Sequence, residues 1–122
     1  MKKRVDDIGF GGLKLVQDED AFCYGTDAVL LANMACTELQ ITEDMRICDL
    51  GTNTAVIPLI MSARCKAKEI VGVEVQEQAF ELAKENLVLN SLTDRLKLVL
   101  ANVKDIKGMD SGLLGAASFN AV

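Results

Sequence analysis

The 122-residue sequence predicts an α/β protein built on a doubly wound parallel sheet. Apolar, β-branched runs at 46–50, 68–75 and 96–102 have the length of buried strands. Segments with helical spacing, 54–64 and 76–90, separate them. Strand, helix, strand, helix, strand in that order means parallel pairing through right-handed crossovers.

The elements follow in order. "IGFGGLKLVQDEDAFC" alternates apolar and polar residues around turn-formers, which predicts a short hairpin of residues 13–17 and 21–23. "GTDAVLLANMA" reads as a helix capped by Thr26 or Asp27, with Val29, Leu30, Ala32, Met34 and Ala35 giving a mostly apolar surface. "CTELQITEDM" is a polar connector. Arg46–Leu50 is the first core strand, and the helix over 54–64 tolerates Pro58 close to its first turn. "KEIVGVEV" is the second strand. In the helix over 76–90, Ala79, Phe80, Ala83 and Leu87 face one way, with Glu77, Glu81, Lys84 and Glu85 outside. "LKLVLAN" is the third strand, "KDIKGMDSGLLGAA" is irregular or weakly helical, and "SFNAV" begins a fourth strand. Residues 1–45 thus form a hairpin and helix placed before a core of residues 46–122.

Composition narrows the function. Half the residues are apolar and a quarter charged, as in a globular domain. Net charge is −5, with acids outnumbering bases over residues 1–45, so the chain alone carries no phosphate-tracking basic face. There is no histidine, which removes Cys/His zinc sites and every Ser-His or Cys-His nucleophile. Cys23, Cys36, Cys48 and Cys65 form no C-x-x-C pair and read as small buried hydrophobes in a reducing compartment. No apolar run approaches the roughly 20 residues that span a bilayer. The opening "MKKRVDDIGFGG" lacks a signal-peptide h-region, so a cytoplasmic location is expected.

Chemistry points to "ICDLGTNTAVIPLI", where a strand feeds a helix through a glycine turn. Such sheets bind ligands at the carboxyl ends of their strands. A dinucleotide loop needs three glycines there, and only Gly51 matches. Asn53 adopts positive φ more readily than most residues and preserves the bend. Asp49, two residues before Gly51, would repel a diphosphate but attract a cationic ligand. That attraction is worth about 1–4 kcal/mol between bulk-water and protein-surface dielectric constants. Glu74 ends the second strand, where a carboxylate accepts from ribose hydroxyls. Asn102 ends the third, within reach of an adenine amino group.

Together "YGTDAVLLA" (24–32), "DLGTNTAVIPLIMS" (49–62), "IVGVEVQEQAFELAKENLVLN" (70–90) and "ANVKDI" (101–106) resemble the class I S-adenosylmethionine-dependent methyltransferases. More narrowly, they resemble the bacterial tRNA1(Val) adenine-37 N6-methyltransferase group and its small-domain relatives. The resemblance implies a Rossmann-like sheet, S-adenosyl-L-methionine as cofactor, and N6-adenine methylation of tRNA. It implies that Thr26 and Asp27 lie near the methionine end, that Asp49 and Gly51 line the loop, and that Glu74 and Asn102 take ribose and adenine. The family loop reads D-x-G-T-G-x-G, so Asn53 and Ala55 replace glycines, and Asn102 stands where an aspartate is usual.

In that family the fourth strand runs into an Asn-Pro-Pro-Tyr motif that holds the target amine. The family's alignment places the motif beyond Val122. The expectation is therefore that 46–122 is the amino-terminal half of a cofactor-binding domain, that this chain supplies no catalytic residue, and that alone it is inactive. An RNA substrate is expected for the full-length protein, with no metal and no membrane partner, and self-association of the chain through an exposed fourth strand. Methylation of ribosomal RNA guanine or of a protein glutamine, a noncatalytic nucleoside-binding module and an NAD-binding oxidoreductase domain are the alternatives.

Overall fold

The computed structural model describes residues 1–9, 11–108, 119, 121 and 122. An antiparallel hairpin of β1 (Lys3–Asp7) and β2 (Lys14–Asp18) comes first, followed by α1 (Thr26–Glu38). The core is β3 (Arg46–Leu50), α2 (Val56–Arg64), β4 (Glu69–Glu74), α3 (Glu77–Leu89) and β5 (Leu96–Leu100), with a 3-10 helix over Val103–Gly108. β3, β4 and β5 pair in parallel in that order. On the other side of β3, Ile47 bridges Ala121 in parallel, and Cys48 N donates to Ala121 O at 2.9 Å. The chain thus leaves β3 towards β4 on one side and returns to it on the other. That reversal opens a crevice at the carboxyl ends of the strands. The predicted α/β fold is the one observed.

Alternation along the strands sorts the core into two faces. Ile47, Ile70 and Leu96 pack with Leu59 and Ile60 of α2 and Ala83 and Leu87 of α3. Cys48, Val71 and Val73 pack on the opposite face with Val99, Ala101 and Phe119. Pro58 is the third residue of α2, where its missing N–H has no intrahelical acceptor to lose. All four cysteines are free, Cys48 buried and the others half-buried. Burial pushes the Cys48 thiol up to about 11, helped by the charge of Asp49. It does the same to Cys36, where the neighbouring Cys65 contributes. Among the described residues no helix is long and apolar enough to cross a membrane.

Several element boundaries differ from expectation. The partner of β2 is β1, and residues 21–23 form no strand. β1 escapes a periodicity reading because "KRVDD" is almost wholly exposed and carries one apolar side chain. Its pairing comes from the backbone ladder, with Arg4–Asp6 and Lys14–Asp7 ion pairs on the surface. Gly25, not Thr26 or Asp27, is the N-cap of α1, and no side chain caps it. α1 also continues through Glu38, taking three residues from the expected connector. α2 starts at Val56, two residues late, because Ala55 sits in the left-handed region at φ 72°. Of the segments read as irregular and as a fourth strand, residues 109–118 and 120 lie outside the described residues.

Two asparagines, Asn86 on α3 and Asn90 at its C-cap, dock the hairpin. Asn86 Oδ1 accepts from Val16 N at 2.6 Å while its Nδ2 donates to Val16 O at 3.1 Å. One turn later Asn90 repeats the pattern on Lys14, accepting at 2.8 Å and donating at 2.7 Å. Residues 14 and 16 present their N–H and C=O groups on the same edge of β2, and the i, i+4 spacing on α3 matches them. The two amides take the place of a neighbouring strand and so close an edge that would otherwise pair with other chains.

Gly72, in the middle of β4, meets the loop that follows β3. A Cβ there would stand 2.8 Å from both Thr52 Cγ2 and Thr52 Oγ1. Thr52 is buried and its N–H is held by Val73 O at 2.9 Å, so the loop cannot simply swing away. Gly72→Ala is therefore expected to destabilise the chain by about 1–3 kcal/mol, the range of other overpacking substitutions, as read by urea unfolding.

Candidate functional site

The turn between β3 and α2 carries three consecutive odd-numbered residues at positive φ: Gly51 at 71°, Asn53 at 55° and Ala55 at 72°. Gly51 N and Thr52 N both donate to Val73 O, at 2.8 and 2.9 Å, which folds the turn back over the end of β4. Asn53 keeps the bend as its residue type predicts. Ala55 accepts a left-handed backbone that disfavours a Cβ by about 1–2 kcal/mol. It is fully buried in the core, where its methyl group offsets part of that cost.

Two carboxylates stand at this edge, one strand apart, in opposite states. Glu74 is buried and its carboxylate is engaged by backbone donors. Oε1 accepts from Asn53 N at 2.7 Å, and Oε2 accepts from Val75 N at 3.1 Å and Gln76 N at 2.9 Å. Three of its roughly four acceptor positions are thereby filled. Asp49 has no such company: its Oδ2 is buried without a hydrogen-bond partner among the described residues. Burial pushes the Asp49 carboxyl above its ordinary value. The Thr52 hydroxyl, near but not in hydrogen-bond geometry, pulls it back, and the negative charge of Glu74 raises it further. The two acids therefore feel each other across the sheet.

Asp49 borders a cavity of about 320 Å³ between α1, α2 and the edge of β3, lined also by Leu31, Ala35, Ile57, Met61 and Val122. Among the described residues lining it, Asp49 alone is charged. Glu74 does not line this cavity; it faces the turn and the start of α3. Ala101 N donates to Glu74 O at 3.0 Å, so the tip of β5 lies beside the tip of β4. Asn102 follows directly and is exposed, its Oδ1 accepting from Lys104 N at 2.9 Å to cap the 3-10 helix. Asp49, Gly51, Glu74 and Asn102 thus share one edge of the sheet. Thr26 instead lines an open cleft against the hairpin with Arg4, Asp6, Gln17 and Tyr24, and Asp27 is exposed at the tip of α1.

Comparison with known proteins decides the family. The family described as ribosomal protein L11 methyltransferase (PrmA) matches residues 21–112, three-quarters of the chain. The chain belongs to the S-adenosylmethionine-dependent methyltransferases. The release factor glutamine methyltransferase of Deinococcus radiodurans is 27% identical over 118 residues, covering 95% of this chain and 38% of that protein. The tRNA1(Val) (adenine(37)-N6)-methyltransferase of Flavobacterium johnsoniae is 34% identical over 87 residues, covering 71% of this chain and 36% of that one. Among solved structures, M. jannaschii TYW2 in complex with AdoMet superposes with a TM-score of 0.71 at 14% identity, over 93% of this chain and 48% of that one. The last likeness is one of fold. This chain spans less than half the length of each of the three.

Some residues that shape this edge escaped the sequence reading. Gly72 had a usable signal, since glycine inside a strand marks a close backbone approach. Val75 and Val103, directly after Glu74 and Asn102, are 57% and 50% exposed. They are exposed apolar residues at two adjacent strand tips, and nothing in their spacing announced it. Asn86 carried no signal either: a polar residue on a helical face reads as surface, yet it is fully buried.

The state of Asp49 gives a stability prediction with a definite sign. Its folded-state pKa is raised, so between the ordinary carboxylate range and the raised value the folded chain holds more protons than the unfolded one. Stability then falls as pH rises through that window, and the ionised acid remains a penalty above it. Asp49→Asn is expected to raise the melting temperature at pH 7 and to flatten this part of the pH profile, as followed by circular dichroism. An unchanged or lower melting temperature would mean that the carboxylate is already compensated.

Proposed function

We propose that the carboxyl edge of β3, β4 and β5 binds S-adenosyl-L-methionine, and that the protein transfers its methyl group to the N6 amine of an adenine in tRNA. The unpartnered Asp49 oxygen carries the first half of this reading. A buried carboxylate oxygen without a donor is costly to keep, and a cationic ligand end supplies the missing partner. A diphosphate in the same place would be repelled, which disfavours NAD. Glu74 is placed for the ribose hydroxyls, but with three acceptor positions filled it must yield at least one backbone N–H to take both. Asn102 and the exposed faces of Val75 and Val103 supply the adenine end. Thr26 and Asp27, both exposed at the start of α1, remain candidates for the methionine end, with Thr26 lining the cleft against the hairpin.

Bound there, S-adenosylmethionine supplies an electrophilic methyl on a sulfonium. The contribution of these residues is to hold and orient it: Asp49 by charge, Glu74 by hydrogen bonds, the valines by contact. Residues 46–122 are read as the amino-terminal half of the cofactor domain, with the base-holding motif elsewhere in the protein. The choice of adenine in tRNA rests on relatives of that name at 32–37% identity. The similarity to a release factor glutamine methyltransferase keeps a side-chain amide as the second reading, at 27% identity over 95% of the chain. An RNA partner and a cytoplasmic site of action follow from the first reading.

Titration calorimetry with S-adenosylmethionine and NAD side by side tests the ligand. S-adenosylmethionine is expected to bind and NAD to leave no heat. Asp49→Asn is expected to weaken S-adenosylmethionine about tenfold or more, on the order of 1.4 kcal/mol. Preferential NAD binding would end the methyltransferase cofactor reading. Incorporation of labelled methyl into tRNA, compared with release factor, by the protein carrying this chain separates the two substrates.

A further inference from the structure

We propose that Asn86 is a positioning residue that couples the amino-terminal hairpin to the ligand loop. Besides its two bonds to Val16, its Nδ2 donates to Thr54 O at 2.9 Å. One fully buried amide therefore joins β2, α3 and the turn after β3. Thr54 lies between two non-glycine residues at positive φ, Asn53 and Ala55. Its carbonyl is the point at which that unfavourable backbone is held from behind, while Glu74 holds Asn53 N from the front. A shift of the loop must break the Asn86 bond to Thr54 or draw the Val16 edge of the hairpin along with it.

The amide is suited to this task because it donates and accepts at once. Aspartate of the same shape would keep the Val16 N–H and face the Val16 and Thr54 carbonyls with oxygen. An apolar residue would leave all three backbone groups buried and unpaired. Asn90 provides an internal control. It makes the same pair of bonds to Lys14 on the hairpin, with its third to Asn86 O, and none to the loop. Ligand binding at the strand tips, which rests on the reading proposed above, must then tighten Val16 although Val16 touches no ligand.

The test compares the unmodified chain with Asn86→Asp, Asn86→Ser and Asn90→Ala, at a temperature where each is folded by circular dichroism. With S-adenosylhomocysteine as the probe, Asn90→Ala is expected to bind within about threefold of the unmodified chain, while both Asn86 variants weaken about tenfold or more. Equal affinities for Asn86 and Asn90 variants would overturn the proposal. In the unmodified chain, which needs no variant to fold, the probe is expected to slow hydrogen exchange at the Val16 amide by about fivefold or more. Slowing at Asn53 without slowing at Val16 would also overturn it. If the unmodified chain binds no S-adenosylhomocysteine, the cofactor reading fails separately. The coupling is then judged on ligand-free chains: reduced Asn53 amide protection in Asn86→Ser but not Asn90→Ala supports it, and equal protection in the two refutes it.

Discussion

The functional edge of this chain depends on one carboxylate that gathers backbone. Glu74 accepts from Asn53, Val75 and Gln76, tying the turn after β3 to the start of α3 at the tip of β4. Bonds of this kind, with a charged acceptor, are each worth about 1.5–3 kcal/mol net. Without them the turn would be tied to the rest of the chain by its two bonds to Val73 O, the clamp behind Thr54 and a long Asn53 Nδ2 bond to Phe22 O at 3.4 Å. Asn53 and Ala55 hold positive φ that glycine would adopt without a Cβ penalty, so the turn is under backbone strain, and Glu74 in front and Asn86 behind hold it. The same acid that orders the loop is the one read as the ribose acceptor. Ligand entry is thereby linked to a rearrangement of the loop's own hydrogen bonds.

Asp49 shows the opposite economy. It stands one strand away, partly dehydrated, with one oxygen unpartnered and an apolar cavity in front of it. For folding alone, an apolar or amide side chain would serve better. Retaining an ionisable group where burial opposes its charge is the pattern of binding sites more often than of cores, because stability is given up where a ligand is received. Gly72 belongs to the same design: by lacking a side chain it lets Thr52 lie on β4 next to Asp49. Close approach of loop and sheet and burial of the acid are one structural fact.

The alternating strands and helices of 46–100 were legible because each buries one face against the same layer and so carries its period in the sequence. The bend at Asn53 was legible from residue type, and the shared strand edge of Asp49, Glu74 and Asn102 from their places at strand ends. β1 was not legible, because a strand with almost every side chain in water needs no apolar alternation. The cap of α1 was misread because Thr26 and Asp27 are good capping types, while the chain enters the helix at Gly25 with no side-chain bond. Asn86 and the Asn53 N–H that Glu74 accepts were out of reach for a different reason. Both join segments that are distant in sequence, and a polar residue shows its partners only after the chain has folded.

A structure of this chain with S-adenosylmethionine bound would test the acidic-edge reading most directly. The reading predicts Glu74 hydrogen-bonded to a ribose hydroxyl with at least one of its present backbone donors released, and the ligand's cationic end beside Asp49. A ligand seated away from both carboxylates, or Glu74 still holding all three backbone donors with the ribose elsewhere, would contradict it.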